Sequence, residues 1–179
     1  MDGFLNQVTM AIRTEFADLP DVPSLVRLIC RLALAATLGG LLGWQREKAG
    51  KAAGMRTHML VCLGATLFVA GPQFAGMGDA GLSRIIQGLT AGIGFVGAGA
   101  ILKTDAPARI HGLTTAAGIW MTAAIGVMVG LGRGSTALVS TAMAFAILWL
   151  LPSDPQPPQD ASPGETSSDG PSRVGKKKA

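Results

Sequence analysis

The stretch IIQGLTAGIGFVGAGAIL, residues 85–102, holds 18 residues, no charged side chain and five glycines. An uncharged apolar run of this length is typical of a transmembrane helix. Glycines allow a second helix backbone to approach closely, which matters in lipid because no hydrophobic force draws apolar helices together. The stretch therefore predicts a membrane helix bundle that is packed most tightly around Gly88, Gly92, Gly94, Gly97 and Gly99.

Part of this stretch, from Gly92 to Gly97, also fits the dinucleotide-binding pattern G-x-G-x-x-G. That pattern binds a pyrophosphate when it follows a strand and opens a helix, with an acidic residue about 20 positions later. Here it lies inside an apolar run, and no acidic residue follows at that distance. We therefore interpret these glycines as packing positions and predict no cofactor.

The composition is that of a membrane protein, with 49% hydrophobic and only 15% charged residues in 179. The sequence predicts an all-α, polytopic bundle of five transmembrane helices within residues 24–151. Each helix has about the 20 residues that are needed to cross the hydrocarbon core of a bilayer. The predicted helices are residues 24–44, 57–73, 85–102, 113–131 and 135–151, with Pro72 at a helix end.

The charges in the connections predict an orientation. The connection after the first helix carries Arg46, Lys48, Lys51 and Arg56, and the connection after the third carries Lys103 and Arg109. Because basic residues are enriched in cytoplasmic loops, both connections are expected in the cytoplasm. The N-terminus is then outside and the C-terminus inside.

The two ends of the chain differ from the predicted bundle. Residues 1–23 have apolar side chains at helical spacing, which is typical of an amphipathic helix on a membrane surface, although a frayed terminus fits equally. No cleavable signal peptide is expected there. Residues 152–179 hold six of the ten prolines and are predicted to form a disordered cytoplasmic tail.

The acidic residues are absent from all five predicted helices. Asp79 and Asp105 lie in connections, and Glu47 lies at the cytoplasmic end of the first helix. Magnesium prefers carboxylate ligands, and transporters usually place ionisable groups within the membrane. This pattern disfavours a dedicated path for a divalent cation, although backbone carbonyls in the glycine-rich third helix remain an alternative.

The arginine deepest in a predicted span is Arg31, about 10 Å along the first helix from Ser24. A charge at this depth is costly unless it is paired or reaches the interface. We therefore consider two roles for Arg31, the binding of a partner, lipid or anion and a structural ion pair. Asp79, on the same predicted side, is the expected ion-pair partner.

The first connection offers further candidate residues for a partner or an ion pair: Arg46, Glu47, Arg56 and His58. Its basic residues would each contribute up to about 1 kcal/mol of attraction to anionic headgroups. The alternative is that these charges only set the topology. Thr57 is expected to cap the second helix.

The fourth helix offers packing residues and no chemistry. Thr114 and Thr115 can form hydrogen bonds between helices, and Gly126-x-x-x-Gly130 is a small-residue contact, as is Gly39-x-x-x-Gly43 in the first helix. The sequence has no recognisable nucleophile–base pair, metal cluster or phosphate loop. It therefore predicts neither an enzyme nor a metal site.

Three ordered motifs carry a resemblance that covers roughly residues 25–131. They are Gly43-Trp-Gln-Arg-Glu47 with Ala53-Gly-Met-Arg-Thr-His-Met-Leu-Val61, then residues 86–99, then His111-Gly-Leu-Thr-Thr-Ala-Ala-Gly-Ile-Trp120 with residues 123–126. With these motifs the chain resembles the MgtC/SapB family. Gln45 departs from the acidic residue that is common in that family.

The resemblance implies an inner-membrane protein of magnesium homeostasis and low-magnesium adaptation, linked to virulence in pathogens. It implies a regulatory protein that modulates other integral membrane proteins, such as ATP synthase or ion and phosphate uptake systems. A magnesium or other cation transporter or channel is the alternative. A homo-oligomer is a further possibility, and nucleic acid is not an expected partner. No soluble regulatory domain is expected after the bundle.

Overall fold

The computed structural model describes residues 2–15, 21–103 and 110–151. These residues form helices and one two-residue antiparallel ladder. The helices are α1 (Asp2–Glu15), α2 (Val22–Lys48), α3 (Met55–Phe74), α4 (Asp79–Gly99), α5 (Leu113–Gly130) and α6 (Gly134–Leu150), and the ladder pairs β1 (Leu102–Lys103) with β2 (Ile110–His111).

Helices α2 to α6 correspond one to one with the five predicted segments. Three of them, α2, α3 and α5, are long and apolar enough to cross a membrane, and α6 is a shorter apolar helix of 17 residues. The chain is therefore a helical membrane protein. Crossing by α4 and α6, and the orientation of the bundle, remain predictions.

Several helix boundaries differ from the prediction, and α2 is longer at both ends, from Val22 to Lys48 rather than from 24 to 44. Helix α4 begins at Asp79 rather than Ile85, and it ends at Gly99 because Leu102 already pairs with His111 in the ladder. Helix α3 continues past Pro72 to Phe74. Pro72 is therefore an interior residue of the helix and not its end.

Helix α3 also begins earlier than predicted, with Gly54 at the N-cap position and Thr57 inside the first turn. The prediction that Thr57 caps this helix is wrong. The backbone N–H of Met55 instead donates to Glu47 Oε2 at 2.9 Å. A carboxylate from the end of α2 therefore satisfies an N–H that would otherwise need a cap.

The tightest helix contacts join α3 to α2 and to α5. A Cβ added to Gly39 would lie 2.6 Å from the carbonyl oxygen of His58, and one added to Gly43 would lie 2.5 Å from the Cα of Met55. On the other side of α3, a Cβ on Gly130 would lie 2.8 Å from the carbonyl oxygen of Thr66. The small-residue pairs of α2 and α5 thus bring both helices against α3.

The prediction that packing is tightest around residues 85–102 is wrong within the described chain. An added Cβ would meet nothing within 4 Å at Gly88, Gly92, Gly94 or Gly99. At Gly97 it would lie 3.6 Å from the Cβ of Ala116, an ordinary contact with α5. The spacing of small residues shows where a close approach is sterically allowed, but it does not specify which helix makes that approach.

The N-terminal helix α1 is a formed helix whose large apolar side chains are exposed, among them Phe4, Leu5 and Met10. Its location on a membrane surface stays a prediction. The tail, residues 152–179, lies outside the described residues.

Candidate functional sites

A cluster of polar side chains is buried at the end of the bundle where α2 ends and where α3 and α5 begin. Arg46 and His58 are both 0% exposed, and Thr115 is 3% exposed. We call these three residues the Arg46 cluster. Its burial is unexpected, because charged residues are almost never fully buried unless they are paired.

The guanidinium of Arg46 has one weak contact in the cluster. Nη2 donates to Thr115 Oγ1 at 3.4 Å, while Nε and Nη1 have no hydrogen-bond partner among the described residues. Nε carries one N–H and Nη1 carries two, so at least three of the five guanidinium donors are unused. A buried donor without an acceptor costs about 1–3 kcal/mol, and more when it is charged.

The imidazole of His58 is satisfied on one side only. Nδ1 lies 3.0 Å from the carbonyl oxygen of Gly54, whereas Nε2 is buried with no partner among the described residues. Nε2 points toward α5, where a Cβ added to Gly118 would lie 3.4 Å from it. Thr115 and Gly118 are three residues apart, so Arg46 and His58 meet the same face of α5.

The burial of Arg46 does not follow from its place in the sequence, where it stands among the basic residues of a connection. The available signal was the spacing from Gly39 and Gly43 to Arg46, which is i, i+4, i+7 and so describes one helix face. Because both glycines pack against α3, the same face carries Arg46 inward.

Glu47 and Arg56, the other two candidate residues of the first connection, are exposed. Glu47 holds the start of α3 through Met55, and Arg56 is exposed in the first turn of α3. The ammonium of Lys48 lies 4.0 Å from the ring centroid of Trp44. The structure therefore brings together Arg46, His58 and Thr115, and leaves Arg56 outside the cluster.

Gln45 links the end of α2 to the end of α6. Its Nε2 donates to the carbonyl oxygen of Leu148 at 2.8 Å, and its Oε1 is buried without a partner among the described residues. An ionised carboxylate only accepts hydrogen bonds, so it cannot make this contact. The neutral amide at this position has a structural role in the chain.

Arg31 is held by neutral groups, and the prediction that Asp79 is its partner is wrong. Its Nη1 donates to Gln73 Oε1 at 2.7 Å and to the carbonyl oxygen of Gly130 at 2.7 Å. The guanidinium carbon also lies 5.2 Å from the ring centroid of Phe74. Asp79 is exposed at the start of α4.

Helix α4 presents an open face that we define by Gly88, Gly92 and Phe95, spaced i, i+4 and i+7. Phe95 is 84% exposed, and both glycines are exposed. Between this helix and α3 lies an open apolar groove of about 470 Å³, lined by Phe68, Ile85, Gly88, Leu89, Gly92 and Ile93. The open face thus offers space and apolar surface, and its three residues have no polar or titratable side chain.

The remaining predicted residues are placed apart from these two sites or lie outside the described part. Thr114 is exposed at the start of α5, and Gly126 packs against α3. Among the described residues, no group of three His, Cys, Asp or Glu side chains lies close enough to hold a metal ion. Asp105 and Arg109 lie outside the described residues, as does the side chain of His111.

Comparison with known proteins gives similar relatives in several bacteria. The chain is 45% identical to SrpB of Synechococcus elongatus over 123 residues, 62% of this chain and 67% of SrpB. It is 40% identical to YhiD of Escherichia coli K12, named as a candidate magnesium transporter, over 67% of this chain and 58% of YhiD. It is 42% identical to MgtC of Brucella abortus over 67% of this chain and 49% of that protein.

The aligned segment thus spans about half to two thirds of the length of these relatives. No solved structure matches the chain. The sequence profile of the MgtC family matches residues 32–153, which run from α2 to just beyond α6 and include both sites described above. The chain belongs to the MgtC family.

Proposed function

We propose that this chain is a multi-pass protein of the bacterial inner membrane that serves magnesium homeostasis and adaptation to low magnesium. In this proposal it acts as a modulator that binds other integral membrane proteins. Membership of the MgtC family and the three apolar helices long enough to cross a membrane support the setting. A relative that is named as a candidate magnesium transporter supports the link to magnesium.

The observation that carries the modulator role is the open face of α4. Its glycines lie beside an apolar groove, and an added Cβ at Gly88 or Gly92 would meet nothing within 4 Å. In lipid, helices associate where small residues allow dense backbone packing. The occupant that fits this groove is one apolar transmembrane helix of another integral membrane protein.

The proposed partners are those that the family resemblance implies, ATP synthase or an ion or phosphate uptake system. Such a partner lies in the same membrane, so its helix approaches α4 from the side. The groove is lined by apolar side chains and by glycine, which gives affinity through shape and dispersion rather than through charge.

Substitution of Gly92 tests the proposal. In Gly92→Leu, the new side chain enters the groove, and the open space around an added Cβ means that the neighbouring helix backbones need not move. We expect loss of partner co-purification from detergent-solubilised membranes while expression and folding are kept. Ala142→Leu, at an exposed position of α6, is the control and should keep the partner.

Gly88→Leu is the second variant. Gly97→Leu is less suitable, because it would also change packing inside the bundle. Gly88 has open space, whereas a side chain at Gly97 would press on Ala116 of α5 and disturb the bundle itself. Normal co-purification by both Gly88→Leu and Gly92→Leu would refute the open face as the partner surface.

A cation transporter or channel is the second candidate, favoured by the name of the relative YhiD. The measurement is magnesium flux into liposomes that contain only this protein, under a gradient and a membrane potential. Flux above that of empty liposomes would establish transport and displace the modulator role. We expect none.

A further inference from the structure

We propose that the Arg46 cluster is a binding site for a phosphate group. This site is separate from the open face of α4. The proposal does not depend on the modulator role, and either one can be refuted without the other. The positive charge of Arg46, the unpaired nitrogen of His58 and the hydroxyl of Thr115 meet at one end of the bundle.

The charge of Arg46 has no anionic hydrogen-bond partner within the described residues. A guanidinium stays protonated in proteins, so Arg46 cannot avoid its burial by becoming neutral. Its contact within the described residues is the hydroxyl of Thr115, which carries no charge. Since a buried charge is normally paired, the three free N–H groups point to an acceptor-rich anionic ligand.

The backbone around the cluster adds positive potential. Helices α3 and α5 both begin here, and their N-cap residues, Gly54 and Gly112, make no side-chain capping bond. Helix N-termini favour anions, phosphate among them, because their N–H groups and dipoles point outward. The carboxylate of Glu47 already accepts from the first N–H of α3, so among the described residues the N-terminus left to favour a ligand is that of α5.

His58 gives the site a preference for phosphate over other oxyanions. When Nδ1 donates to the carbonyl of Gly54, Nε2 of the neutral ring is an acceptor. A protonated phosphate oxygen can donate to Nε2 while its charged oxygens accept from Arg46. Sulfate carries no such proton near neutral pH and therefore offers His58 nothing to accept.

Complete burial limits the size of the ligand. Arg46 and His58 expose no surface, so a ligand reaches them only when the surrounding side chains separate. That requirement favours a small free ion or the single anionic group of a larger molecule. Inorganic phosphate and the headgroup phosphate of a lipid share this chemistry. They differ in one respect. Inorganic phosphate has a P–O–H group that can donate to His58, whereas the phosphodiester of a phospholipid such as phosphatidylglycerol has none.

The test is thermal unfolding of the full chain in an uncharged detergent, with inorganic phosphate added at constant ionic strength against sodium chloride. We expect a saturable rise in the melting temperature with phosphate and a smaller rise with sulfate. In Arg46→Met the phosphate affinity should fall by about 30-fold or more. Arg56→Met removes an exposed arginine from the same end of the bundle and should keep the response.

If Arg46→Met does not fold, phosphorus NMR of the wild-type protein and of His58→Gln provides the second measurement. We expect a bound phosphate signal in the wild type that weakens in His58→Gln. A rise in melting temperature with phosphatidylglycerol but not with inorganic phosphate would assign the site to a lipid headgroup and overturn the role of the phosphate proton.

Two outcomes would overturn the proposal as a whole. One is a melting temperature that does not change when phosphate replaces sodium chloride at constant ionic strength, or that changes equally in Arg46→Met and Arg56→Met. The other is a response to phosphate in Asp105→Asn but not in the wild type, because the anion paired with Arg46 would then be a carboxylate of this chain.

Discussion

Gly126 of α5 lies against the backbone of Cys62 in α3, so closely that a Cβ on Gly126 would be 2.5 Å from the carbonyl oxygen of Cys62. A hydrogen bond joins the same two helices, because Thr66 Oγ1 donates to the carbonyl oxygen of Gly126 at 3.0 Å. The association of α3 and α5 therefore depends on the absence of a side chain at position 126.

Gly126→Ala should lower the free energy of unfolding by about 1–3 kcal/mol, the usual range for overpacking. Gly92→Ala should leave it unchanged or raise it by up to about 1 kcal/mol, because alanine favours a helix and position 92 has open space. The measurement is a reversible unfolding titration in mixed micelles. An equal loss of stability in both variants would contradict the packing described here.

Arg31 should be coupled to Gln73 and not to Asp79. Gln73→Leu removes the 2.7 Å hydrogen bond to the guanidinium and should lower the free energy of unfolding by about 1.5–3 kcal/mol. Asp79→Asn should change it by less than about 0.5 kcal/mol, as for other surface substitutions. A larger loss of stability in Asp79→Asn than in Gln73→Leu would contradict this and would favour an ion pair between Arg31 and Asp79.

The helical segments of the bundle could be predicted from the sequence because length and apolarity determine them locally. Segment 113–131, for example, differs from α5 by a single residue at its end. The error at Thr57 had a non-local cause, since Glu47 on another helix satisfies the start of α3. The partner of Arg31 was also missed, because Gln73 is neutral and lies 42 positions away in sequence.

Gln45→Glu should weaken the attachment of α6 to α2. The carboxylate would face the carbonyl oxygen of Leu148, in the last turn of a helix where the backbone dipole disfavours negative charge. We expect a loss of about 1–3 kcal/mol in the free energy of unfolding, and a smaller loss for Gln45→Met. A Gln45→Glu variant as stable as the wild type would show that the amide has no structural role.

The orientation is open to a labelling experiment. Cysteines at position 48 at the end of α2 and position 79 at the start of α4 flank α3, which is long enough to cross the membrane. In a chain with Cys30 and Cys62 replaced, a membrane-impermeant maleimide should label position 48 from the cytoplasm and position 79 from outside. Labelling of both positions from one side would contradict the predicted topology.

The two candidate sites differ in what the sequence reveals about them. The glycines of α4 are visible in the sequence, but their open surroundings depend on α2 and α5 packing against α3 instead. The Arg46 cluster forms where three helices meet, so its residues are far apart in the sequence. Arg46 and His58 are separated by 12 positions, and His58 and Thr115 by 57. Neither arrangement follows from local spacing alone.

The most direct test of the modulator role is site-specific photo-crosslinking in intact membranes, with a photoreactive side chain at position 92 of α4 or at position 142 of α6. We expect a discrete adduct with another integral membrane protein from position 92, absent from position 142 and lost when Gly88→Leu is added. Identical adducts from both positions, or an adduct from position 92 only with a second copy of this chain, would contradict it.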